Sequence, residues 1–137
     1  MILKKPTAPS YLFTATALAL VLGATMHAAG FPRASWVIDA AHPPALFGAL
    51  IKGLWLCNSV NIAAFALLFG FAAVRPSTVP RPLLLVFTAT LFVLAGFVYA
   101  TVGNFIAAHI LTLAGTAAAS GCALLEKQRV ATPSIAM

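Results

Sequence analysis

The chain has 137 residues, 62% of them hydrophobic and 7% charged, with a mean hydropathy of +1.03 and a formal charge of +6. A soluble domain of this length leaves much of its surface in water, so this composition excludes a water-soluble globule and points to lipid as the solvent. Eight Lys and Arg face only Asp39 and Glu126, but they are scattered singly or in pairs without a basic helix, so the surplus excludes nucleic acid as a partner.

A spanning helix needs about 20 mostly apolar residues. Four segments meet that need, over residues 11–29, 45–74, 83–102 and 105–125. The first follows Lys4 and Lys5 and carries Ala15, Ala19, Gly23 and His27 at four-residue spacing, with Thr16 on the same face and Leu20 at its border. Small residues at that spacing let helices approach closely in lipid, so His27 is expected to end a packing seam and to point into protein. The same stretch also has the form of a signal peptide cut after Gly30, which would leave three spans.

The connection over residues 31–44, "FPRASWVIDAAHPP", is expected to be a loop with Phe31 and Trp36 as interfacial anchors. The second span is longer than a bilayer requires and holds Lys52, Trp55, Asn58, Ser59 and Asn61 among apolar residues. At about 100° per residue these five sweep about half the helix, which should face other helices, while Gly53, Leu56 and Val60 turn to lipid. Cys57 and Cys122 have no zinc spacing and read as packing residues. The third span aligns Thr88, Phe92, Ala95 and Tyr99, a core-packing pattern with a phenol near one end. Gly103-Asn104 leaves a very short turn, so the third and fourth spans must be neighbours. On the fourth, His109, Thr112, Thr116 and Ser120 form a polar stripe, either hydroxyls bonded to their own backbone or a neighbouring helix on a packing face, or the wall of a path.

Lys4, Lys5, Arg75, Arg81, Lys127 and Arg129 fall on one side of a four-span chain, and only Arg33 and Lys52 on the other. The positive-inside rule makes the first side cytoplasmic. The expected fold class is therefore all-α: a single domain over 1–137, a polytopic antiparallel four-helix bundle with both termini cytoplasmic. The expected setting is a bacterial inner membrane.

In this topology His27, Lys52, Trp55, Asn58, Tyr99 and His109 all fall in the outer half-layer, an expected polar pocket with Asn58 as its floor. Such a pocket is a candidate site for a lipid, a quinone or a haem held by His27 and His109, or for acid–base chemistry in a membrane enzyme. His42 and Asp39 are the only residues that extend the ligand set. No metal-ligand spacing and no nucleophile motif occurs, so neither a metal nor a catalytic residue is assigned. In size the chain resembles four-helix multidrug exporters, but it lacks their glutamate in the first span, and a small oligomeric transporter stays only an alternative. The Arg/Asn/Glu motif of four-helix glutathione-linked membrane enzymes is also missing. His27 and the "GLW" of Gly53 to Trp55 resemble the layout of small bacterial membrane proteins, a likeness that implies no function. The leading expectation is a non-enzymatic subunit or accessory protein, packed against other membrane proteins or against itself. The small-residue faces of the first and fourth spans support it.

Overall fold

The computed structural model describes residues 7–131, and Lys4 and Lys5 lie outside them. The described residues form five helices: α1 (Ala8–Ala29), α2 (Phe31–Ala40), α3 (Ala45–Val74), α4 (Arg81–Thr101) and α5 (Ile106–Ala131). Four helical stretches, Ala8–Ala40, Ala45–Val74, Arg81–Thr101 and Ile106–Gln128, are long and apolar enough to cross a membrane. The fold is thus all-α with four potential spans, as the apolar runs predict.

Punctuation sets the boundaries. Pro9 and Pro82 occupy first turns, where a missing amide hydrogen costs nothing. Pro44 and Pro80 are the N-caps of α3 and α4. Between α4 and α5, Gly103 takes φ +86°, and its amide reaches back to the carbonyls of Val98 and Tyr99 at 3.2 and 3.1 Å. Glycine enters this left-handed region without the penalty of a Cβ, which closes the helix end.

The expected loop after the first span is instead largely α2, a correction with a local cause. Gly30 keeps a right-handed helical conformation (φ −73°, ψ −14°), and Pro32 lies in the first turn of α2, where it is tolerated. The chain therefore runs on almost unbroken from α1, and only residues 41–44 turn back toward α3, with His42 at φ +50°.

Helix α1 packs against both α3 and α5, and α4 packs against α5. The edge-on pair Phe65–Phe87, with ring centroids 4.8 Å apart, also brings α3 to α4. The α1 face that enters the core is Phe13, Thr16 and Leu20, continuing through half-buried Gly23 and His27. The expected seam is corrected here: Ala15 is exposed and Leu20 is fully buried. A helix has about 3.6 residues per turn, so strict four-residue spacing drifts off a face that alternating steps of three and four follow.

Two glycines allow the closest approaches. A Cβ on Gly121 of α5 would lie 2.7 Å from the Phe13 ring of α1, and one on Gly115 would lie 3.1 Å from the Phe92 ring of α4. Phe13 in turn stacks on Phe69 of α3, with centroids 6.1 Å apart. Buried Thr16 donates to the Leu12 carbonyl and, across the interface, to the Ala114 carbonyl of α5 at 3.2 Å. In lipid such packing and hydrogen bonding, rather than escape from water, hold helices together.

The hydroxyl part of the α5 stripe bonds its own backbone rather than a neighbouring helix. His109, Thr116 and Ser120 are exposed, and Thr112 and Thr116 donate to the carbonyls four residues back. These are the own-backbone bonds expected of hydroxyls in an apolar helix, and the exposed Thr116 and Ser120 line no internal path. The buried face of α5 is built from Ala108, Leu111, Ala114, Ala118, Cys122 and Leu125. On α4, Thr88 and Ala95 are buried as expected, while Leu84 and Leu91 complete the core face in place of Phe92 and Tyr99.

Candidate functional site

The six residues predicted to share a pocket fall into three separate groups. The first joins the end of α1 to α3. His27 stacks on Trp55, with centroids 4.4 Å apart and planes 23° from parallel. The Trp55 indole N–H donates to the His27 carbonyl at 2.8 Å. The Asn58 amide Nδ2 lies 3.3 Å from His27 Nε2, and Ser59 Oγ lies 2.8 Å from His27 Nδ1. The Ser59 hydroxyl donates to the Trp55 carbonyl at 3.3 Å. One assignment satisfies every contact. The amide of Asn58 donates to Nε2, so the proton sits on Nδ1 and is given to Ser59, which passes its own to the backbone. His27 is then a neutral imidazole with both nitrogens used.

Local sequence explains the arrangement. Trp55, Asn58 and Ser59 follow one another at three- and four-residue steps and so lie on one face of α3. Gly30 lies beside this cluster, where a Cβ would sit 3.4 Å from both Trp55 Cζ2 and the His27 carbonyl, an ordinary contact distance.

The second group is built across the α4–α5 turn. Tyr99 Oη lies 2.8 Å from His109 Nδ1, and Asn104 Oδ1 lies 2.6 Å from His109 Nε2. The carbonyl oxygen can only accept, so the proton of this ring sits on Nε2, and Nδ1 accepts from the phenol. His109 thus adopts the opposite tautomer to His27. Its ring and that of Tyr99 meet edge to face at 5.5 Å.

The third group is an ion pair. Lys52 Nζ donates to both carboxylate oxygens of Asp39 at 2.7 and 2.8 Å, pinning α2 to α3. The pair is exposed, which limits it to about 1 kcal/mol or less. His42, the other loop residue considered as a ligand, has its Nδ1 against the Ala40 carbonyl at 2.8 Å.

Among the described residues no hydrogen bond or ring contact joins the two histidines, and no group of three His, Cys, Asp or Glu is close enough to hold a metal ion. The ring nitrogens that a haem iron would need are engaged in protein contacts. The two carboxylates do not face either imidazole: Asp39 is held by Lys52, and Glu126 lies 3.4 Å from Arg81.

Other details of the α3 reading are revised. Lys52, Trp55, Asn58 and Ser59 turn toward protein and Gly53, Leu56 and Val60 outward, as the helical sweep predicts, but Asn61 is exposed. Cys122 is buried, whereas Cys57 is exposed. Sequence reasoning left Ser59, Asn104 and Asp39 outside the set that their partners define. Ser59 sits one turn beyond Trp55 and Asn104 five residues before His109, so spacing carried both signals.

An open groove of about 1090 Å³ lies elsewhere, between α1 and α3, and none of the six residues lines it. Its walls include Ala17, Ala24, Ala63, Leu67 and Gly70, and Arg75 stands at one end.

Comparison with protein-family models, with curated proteins and with solved structures finds no match to this chain.

Proposed function

We propose that the chain is a non-enzymatic subunit of a membrane complex, held in a bacterial inner membrane, that docks its partner through the end formed by α2 and the first third of α3. Contacting residues run in opposite chain order along each helix pair: Ala17 with Gly70 and His27 with Ser59, Phe13 with Gly121 and Gly23 with Ile110, Tyr99 with His109 and Arg81 with Glu126. This supports an antiparallel bundle. Arg75, Arg81 and Lys127 share one end of it and favour cytoplasmic termini.

Helix lengths carry the proposal. The 21 residues of α4 cover about 31 Å, which matches a hydrocarbon layer of about 30 Å, whereas the 30 residues of α3 cover about 45 Å. Tilting α3 alone to fit would exceed the usual range and break its packing. Ile110, near the start of α5, reaches Gly23 of α1, so α3 before Asn58 has α2 as its neighbour and extends beyond the α4–α5 turn. This projection exposes Trp36 (70%), Leu46 (68%), Phe47 (60%) and Leu54 (68%). Large apolar side chains exposed together at a projecting end favour a protein-docking role. The polar groups, in contrast, are spent on one another, which favours a packing role over catalysis.

Purification in mild detergent tests the reading. The wild-type chain is expected to carry one integral membrane protein in fixed stoichiometry, and Phe47→Glu to lose it while staying folded. A chain that purifies alone, or as an oligomer indifferent to Phe47→Glu, would reject the reading.

A further inference from the structure

We propose that the groove between α1 and α3 is a binding site for one anionic phospholipid, with an acyl chain along the groove and the phosphate on Arg75. The chain has two acidic residues, and each lies against a different cation: Asp39 on Lys52 at 2.7 Å and Glu126 on Arg81 at 3.4 Å. No carboxylate side chain remains for Arg75, which is exposed at the C-cap of α3 and lines the groove. An arginine fork binds phosphate oxygens through paired donors.

Shape makes the same choice. The α3 wall runs from Ala63 to Arg75, about 18 Å at 1.5 Å per residue. One leaflet contributes about 15 Å of hydrocarbon, so a chain whose headgroup rests at Arg75 ends near the upper limit of the groove. A partner helix would need a furrow through both leaflets, and this one stops at the level of Thr25 and Ala63. The walls are alanine, glycine, valine, leucine and phenylalanine apart from Thr25, whose hydroxyl is spent on the Val21 carbonyl at 2.8 Å. Apolar walls with one placed charge are the expected pattern for a lipid site between membrane helices.

Native mass spectrometry of the purified full chain tests this with phosphatidylglycerol or phosphatidylcholine of identical acyl chains. The wild type is expected to hold one phosphatidylglycerol about fivefold more strongly, the ratio one basic residue gives near an anionic headgroup. Arg75→Gln should reduce that preference to none, and Arg33→Gln, which removes the same charge from α2, should leave it intact. Ala63→Phe, at an exposed position, should weaken both lipids by blocking the groove, with the circular dichroism spectrum and melting temperature unchanged. Equal retention of the two lipids, a preference surviving Arg75→Gln, or a phosphatidylglycerol adduct indifferent to Ala63→Phe would overturn the proposal. So would a dimer that Ala63→Phe dissociates while lipid retention is unchanged, because a second copy would then fill the groove.

Discussion

At the scale of single residues, the costly polar groups are paired rather than poised. An uncompensated polar group in hydrocarbon costs several kcal/mol, and both helix histidines find partners on both ring nitrogens. His27 and His109 do this with opposite tautomers, since one receives an amide N–H on Nε2 and the other gives its Nε2 proton to an amide oxygen. Long-range proton–nitrogen correlation spectra of the protein labelled at histidine check this. We expect Nδ1–H for His27 and Nε2–H for His109. Matching tautomers would contradict the hydrogen-bond assignment. The involvement of His27, Trp55 and Asn58 was legible from helical spacing. Their separation from Tyr99 and His109 was not, because spacing orders residues around one helix but does not say which helix each face meets. Placing six residues in one layer therefore created a pocket whose histidines belong to different helix pairs, His27 to α1–α3 and His109 to α4–α5.

At the scale of the helices, close approach is set by a few small residues. Gly121 faces the ring of Phe13, which is fully buried and stacked on Phe69, so neither ring has room to retreat. Gly121→Ala is expected to destabilise the fold by about 1–3 kcal/mol through overpacking. Gly53→Ala and Gly96→Ala, with open space around the added carbon, should be neutral or slightly stabilising. Unfolding midpoints of the three variants in one detergent decide this, and equal midpoints would show that the Phe13 contact is not constraining. Three of the four long apolar runs were read from sequence to within a few residues, and the fourth ends six residues later, at Ala131. Helix α2 was missed, because Phe31-Pro32 and His42-Pro43-Pro44 carry the usual marks of a loop, and only the conformation of Gly30 reveals that the first helix carries on. The α5 stripe was visible as a pattern, yet Thr112 and Thr116 satisfy themselves on their own helix. A hydroxyl in lipid therefore gives no direction.

At the scale of the whole molecule, the α4–α5 pair stands beside a longer hairpin. The hairpin of α1, α2 and α3 extends past the α4–α5 turn, tied by the Lys52–Asp39 pair and by Ile38, which comes within about 4 Å of where a Cβ on Gly48 would lie. Its tip presents Trp36, Leu46, Phe47 and Leu54, side chains that the rest of this chain leaves exposed. Covering them is the task assigned to a partner. A photoreactive phenylalanine analogue placed at Phe47, and separately at the lipid-facing Phe97 of α4, tests that assignment most directly in intact membranes. The expected result is one discrete heteromeric adduct from position 47, abolished by Trp36→Glu, and none from position 97. Adducts of equal yield from both positions, or none from position 47, would contradict it.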